Sequence, residues 1–221
     1  MKPLYFGLLG LTMFFSKVSS AQNAQTTENL KIVLEKVWQT EQVPIRLRDS
    51  LMRIYGADSK QFQKYQAIYK RNHKVNEKIV KNILDKYGWP AKNMISEYGN
   101  WTICNVLQHS DLYVRLKYLP LMKQAVKSNK LEPRFLARAE DRLATDRGDL
   151  QIYGGQMKYY PETKSFNLWP VYDPVNIDKR RAEIGLEPIT IFLKKRFNFK
   201  WDLQEQIKRS EKFIKKSNKE N

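Results

Sequence analysis

The chain has 221 residues, 42% hydrophobic, 12% aromatic and 29% charged, with nine Gly, nine Pro, two His and one Cys. These proportions exclude disordered, collagenous and disulfide-stapled chains and nearly exclude zinc-finger, iron–sulfur and multi-histidine metal sites. Forty Lys and Arg against 23 Asp and Glu give a formal net charge of +17, a field that favours anionic partners.

In chain order, Lys2 precedes an apolar, uncharged run over residues 4–15, and Ser19, Ser20 and Ala21 supply the small side chains of a cleavage site. Residues 1–21 therefore read as a secretory signal, and the protein as exported, periplasmic or secreted, beginning at Gln22. The run is too short for a spanning helix, which needs about 20 residues. No Cys follows it for a lipid anchor, and no later stretch gives the mature chain a transmembrane segment. Without Lys2 and Lys17 the chain still carries a formal +15.

Residues 22–27 read as a polar linker, and one helical domain is expected over residues 28–195. Leu30, Val33, Leu34, Val37 and Trp38 form the stripe of a first helix. Pro44 is expected to break or kink it before it resumes as far as Gly56. Asp58 or Ser59 can cap a second helix with Phe62, Tyr65, Tyr69, Asn72, Asn76, Ile79 and Ile83 inward, ended by Gly88, Trp89 and Pro90. A third carries Trp101, Cys104 and Leu107. A fourth, capped by Ser110 or Asp111, turns Leu112, Leu116, Leu119, Met122 and Val126 inward, and Pro120 frees the Leu116 carbonyl. Pro133 opens a fifth helix that runs to about Asp146 and ends at Gly148. The period then changes. Aromatic-rich runs at residues 151–160 and 166–172 flank a polar turn at residues 161–164 and predict a β-hairpin, with Gly154 and Gly155 marking a bulge or a close backbone approach. Short helices are expected over residues 178–184 and 189–195. A basic amphipathic helix over residues 201–216 closes the chain, within a segment, residues 196–221, read as peripheral. The fold class is mainly α, a single helical domain with a late β-hairpin insertion and a basic C-terminal helix.

From Lys194 onward the chain holds ten Lys and Arg against four Asp and Glu. The export signal, and the lack of a phosphate loop or an RNA-reading aromatic pair, argue against specific nucleic-acid binding. The basic surface suits an anionic ligand or envelope polymer instead. Trp38, Trp89, Trp101 and Trp169 read as core anchors rather than a stacking platform. His73, on a Lys- and Arg-rich helix, reads as solvated, and nothing in the spacing calls for a metal or cofactor.

Gly88-Trp89-Pro90, Gln108-His109-Ser110, Asp141-Arg142, Gln151, Tyr153-Gly154, Gln156, Arg180-Arg181 and Gly185-Leu186 occur in an order that resembles the bacterial domain of unknown function 6624 over residues 30–192. The resemblance implies an exported, mostly helical domain with no known activity. Against that pattern, His73 stands where an acidic residue is expected, Gly155 occupies a Thr position, and Pro44 interrupts the first helix.

The window from Asp141 to Gln156, together with Gln108, His109, Arg180 and Arg181, concentrates polar groups that the apolar stripes do not explain, and polar groups on inner faces demand partners. Three readings fit. In a catalytic pocket of hydrolase type, His109 is the acid–base and Asp141 orients it. In a ligand pocket, Gln108, Arg142, Gln151, Tyr153, Gln156, Arg180 and Arg181 hold an anion, the arginines as bidentate forks. In a brace, the same groups satisfy one another and the backbone.

Overall fold

The computed structural model describes the backbone over residues 9–95, 98–160 and 165–220, and side chains over residues 27–95, 98–160 and 165–217. The start of the apolar run, residues 4–8, and the expected hairpin turn, residues 161–164, lie outside the described residues. Within them are eight α-helices and one two-stranded antiparallel sheet, so the chain is mainly α with a late hairpin. No described helix is long and apolar enough to cross a membrane. The chain divides into two units, Met1–Val106 and Leu107–Asn221.

In the first unit, α1 (Leu9–Tyr55) pairs with α2 (Lys60–Tyr87). Neither the linker expected at residues 22–27 nor the break expected at Pro44 interrupts α1. No Gly or Pro lies between residues 11 and 43, so nothing stops the helix before Pro44. Pro44 itself lacks the N–H that would bond the Thr40 carbonyl. Asn72 of α2 replaces it, its Nδ2 donating to that carbonyl at 3.0 Å. Ser59 caps α2 by accepting from the Phe62 N–H, and Gly88 ends it at φ +65°. Leu30, Leu34 and Val37 of α1 are buried, as are Tyr69, Asn76, Val80, Ile83 and Leu84 of α2. The inward stripe of α2 is thus rotated from the expected one: Val80 and Leu84 are buried, while Asn72 and Ile79 are only partly so. Trp89 is a buried anchor whose Nε1 donates to Asn100 Oδ1 at 2.8 Å. Trp101, on α3 (Gly99–His109), is exposed, and its ring meets the half-buried Trp38 edge-on while Tyr98 stacks on that same Trp38. Trp101 is therefore no core anchor.

In the second unit, Asp111 caps α4 (Leu112–Lys127) through the Val114 N–H, and Pro133 opens α5 (Pro133–Asp146), followed by Gly148 at φ +75°. The inward row of α4 is Val114, Tyr118, Met122 and Ala125, while Leu112 and Leu116, expected inside, are 38% and 42% exposed. The helix offers two apolar rows. It packs on α5, and the row carrying Tyr118 is the one that is buried.

The hairpin is β1 (Met157–Tyr160) paired antiparallel with β2 (Ser165–Leu168), Tyr159 opposite Phe166 with ring centroids 5.2 Å apart. Residues 151–156, expected as strand, form a loop instead, held at Gln151 by a parallel bridge to Val171. Next come α6 (Ile177–Glu183) and α7 (Ile189–Phe197), and Leu168, Val171, Ile177, Ile189 and Leu193 form a core against which Phe199 and Trp201 pack.

The expectation of a peripheral C-terminal segment is overturned by α8 (Leu203–Glu220). The parallel bridge leaves the N–H and carbonyl of Val171 itself facing away from Gln151. Ser210 meets both, its Oγ accepting from the amide at 3.1 Å and donating to the carbonyl at 2.8 Å. Gln206 Nε2 donates to the Trp169 carbonyl at 3.3 Å, and Phe213 meets the Trp169 ring edge-on. Gln206 and Ser210 are buried by these contacts. Deleting residues 201–221 is expected to abolish the cooperative melt of the second unit. Ser210→Ala, which removes the hydroxyl and both bonds without adding bulk, should cost about 1–3 kcal/mol in a denaturant titration.

Candidate functional site

Asp141 enters the core on the buried face of α5 with no exposed surface. A carboxylate there needs donors, and the loop after Gln151 supplies them from its backbone. Oδ1 accepts from the amides of Ile152 (2.7 Å) and Tyr153 (2.8 Å), and Oδ2 from that of Gly155 (2.7 Å). Convergence of three amides requires a sharp turn, which Gly154 provides at φ +80°. A Cβ at Gly154 would come within 2.7 Å of Ile189 Cδ1, so the glycines mark a close backbone approach, one of the two alternatives the sequence allows. At Gly155 a Cβ would lie 3.0 Å from Asp141 Oδ2.

Gln151, fully buried, closes the loop from inside. Its Oε1 accepts from the Gln156 amide at 2.8 Å, and its Nε2 donates to the carbonyls of Gln156 (3.1 Å) and Trp169 (2.7 Å). Arg181, 2% exposed, donates to the carbonyls of Tyr153 (2.6 Å) and Glu187 (2.7 Å) and lies over the Phe192 ring. Arg180 donates to the carbonyls of Ile152 (3.4 Å), Asp173 (2.9 Å) and Tyr172 and pairs with the Asp173 carboxylate. Asp178 accepts from the Ile189 amide at 2.7 Å, fixing the start of α7.

The structure thus brings Asp141, Gln151, Tyr153, Gln156, Arg180 and Arg181 together around one loop, and the buried side chains among them bond mainly to backbone. Arg142 stands apart on the exposed side of α5, its Nε 3.3 Å from Asp146 Oδ1. Gln108 and His109 end α3, with His109 exposed. Arg115, which the sequence reading passed over, donates to the Ser110 carbonyl and to Asp146 Oδ2, joining the end of α3 to the end of α5. Among the described residues no group of three or more His, Cys, Asp or Glu is placed to hold a metal.

A second polar cluster, in the first unit, corrects the reading of His73. Its Nδ1 lies 2.8 Å from Glu41 Oε1, with the side chains 13% and 1% exposed. His73 falls between Tyr69 and Asn76 on the inward side of α2, not on its solvated side. Glu41 was missed, although it follows Val37 by four residues and so continues the buried stripe of α1. Burial, and secondarily the Glu41 charge, push the Tyr69 phenol up to about 12.

Burial is also the largest influence on Asp141. It pushes the carboxyl up to about 6 against the pull of the three amides and of Arg181. A carboxyl with a higher pKa folded than unfolded takes up a proton on folding between the two values, so its contribution to stability declines as pH rises from about 4 to 6. Asp141→Asn removes that titration and turns an NH2 group toward an amide donor. It should lower stability by about 1–3 kcal/mol at neutral pH, with the gap to wild type wider at pH 4 than at pH 7, as read by denaturant titrations across that range.

Residues 66–199 match the model of a family of unknown function, DUF6624, starting within α2 rather than at Leu30. No curated protein and no solved structure matches the chain. Since the matched segment is more than half of the sequence and contains the whole Asp141 loop and its arginines, the protein belongs to this family of unknown function, DUF6624.

Proposed function

We propose that this protein is an exported binding domain that engages an anionic envelope polymer through its second unit, without catalysis at the Asp141 cluster. The observation that carries this reading is the orientation of α8. Ser210 and Gln206 tie one face of the helix to the backbone around Val171, so Lys208, Lys212, Lys215 and Lys216 stand on the other face, exposed. Lysines at i, i+4 and i+7 form a row along one helix face. Lys194, Lys195 and Arg196 on α7 are exposed as well. A fixed row of ammonium groups on a chain that still carries a formal +15 without Lys2 and Lys17 concentrates a polyanion through long-range attraction that salt screens. The hydrolase reading, with His109 as acid–base, needs a carboxylate to orient the imidazole. Asp141 already has three amides on its two oxygens.

The full chain should be retained on immobilised dextran sulfate at low salt and released as ionic strength rises. The triple variant Lys208→Glu, Lys212→Glu, Lys215→Glu should elute at much lower salt with an unchanged melt. Equal elution of the two proteins overturns the reading. Export is checked on the protein recovered outside the cytoplasm, whose intact mass should begin at Gln22; full-length chain there contradicts cleavage.

A further inference from the structure

The α1–α2 hairpin of the first unit leaves a long apolar row uncovered. Ile32, Val43, Leu47 and Ile54 of α1 are 58%, 44%, 40% and 68% exposed. At about 3.6 residues per turn they fall within an arc of about 60° and span about 33 Å along the helix. Single exposed apolar side chains are ordinary, whereas a row of them marks a contact surface. Lys36 falls within the row and Arg46 and Arg53 flank it, all three exposed. The acids on the same stretch are engaged elsewhere: Glu35 accepts from Gln39 at 2.9 Å, Glu41 is buried against His73, and Asp49 pairs with Arg48.

Cations border the row on α2 as well. Lys36 of α1 and Val75 and Lys86 of α2 line one groove, so the row and this flank of α2 open on the same side of the hairpin. Val75 is 55% exposed there, and Lys64, Arg71, Lys78 and Lys86 follow its face at i−11, i−4, i+3 and i+11, all exposed. The whole of α2 holds eight Lys and Arg against two acids, of which Glu77 pairs with Lys81. This side of the hairpin is therefore apolar along α1 and cationic along α2.

We propose that this side of the hairpin rests on an anionic lipid bilayer, with the α1 row entering the acyl boundary and the α2 cations at the level of the phosphate headgroups. A soluble polyanion uses the cations and leaves the apolar row in water. A protein partner has to match a straight ridge about 33 Å long, whereas a fluid acyl boundary conforms to it. An anionic bilayer uses both features, because the long stems of Lys and Arg keep their charges at the headgroups while the apolar row sinks. The surface belongs to the first unit and does not rest on the lysine row of α8.

The test is co-sedimentation of the full-length chain with vesicles of phosphatidylcholine alone and of equal parts phosphatidylcholine and phosphatidylglycerol. Binding to the anionic vesicles is expected to be about tenfold or more tighter than to the neutral ones. Leu47→Ser with Ile54→Ser, at exposed positions, should keep the melt and the retention on dextran sulfate while weakening binding to the anionic vesicles about tenfold or more. Arg71→Glu with Lys78→Glu should weaken the same binding to a similar degree. The chain beginning at Gln22 should bind like the full-length chain; binding confined to the full-length chain assigns it to residues 1–21 and overturns the proposal. Equal binding to the two kinds of vesicle, or anionic-vesicle binding unchanged by the serines, also overturns it. Concentration-dependent self-association that the serines abolish, without vesicle binding, overturns it in favour of a second copy of the chain as the occupant.

Discussion

Three backbone amides converging on the Asp141 carboxylate are the constraint on which the second unit depends. A carboxylate with no exposed surface persists only where donors replace its water, and here the donors are consecutive turns of one loop. Winding that loop requires Gly154 at positive φ, pressed against Ile189 where a side chain has no room. The loop's outward-turned carbonyls then need donors of their own, and Arg180 and Arg181 supply them to Ile152 and Tyr153. Gln151 closes the circuit from within. One buried charge in this way ties α5 to the hairpin, to α6 and to the start of α7, and gives the cluster of polar residues a structural role.

The same accounting of orphaned backbone groups explains the α1–α2 hairpin. Pro44 leaves the Thr40 carbonyl without its helical donor, and the asparagines that interrupt the apolar stripe of α2 answer it: Asn72 bonds the carbonyl, and Asn76 meets the Thr40 hydroxyl. A turn of helix weakened by proline is thus repaired by a neighbour.

Much of this organisation was legible in the sequence. Helix boundaries set by Pro133, Gly148, Ser59 and Gly88 follow from local chemistry and stand where that chemistry puts them. The polar residues around Asp141 stood out because they resist an apolar pattern. What periodicity could not decide was which of two apolar rows on α4 faces inward, since that depends on the helix it packs against. Nor could it show that α8 is bonded to the backbone around Val171. The bonds of Ser210 to Val171 join residues 39 apart, and the helix's charge disguises a buried polar seam. His73 reads as solvated on a basic helix until its pairing with Glu41 across the helices is seen, and Glu41 was passed over although it continues the stripe of Val37.

Amide hydrogen exchange in the native protein reads the hold of Asp141 on its loop most directly. If Asp141 holds the loop, the amides of Ile152, Tyr153 and Gly155 exchange slowly, with protection close to that of the α5 core, and all three lose it together in Asp141→Ala, which leaves them no acceptor. Free exchange of these amides in the folded wild-type protein, or their unaltered protection in the variant, would contradict it.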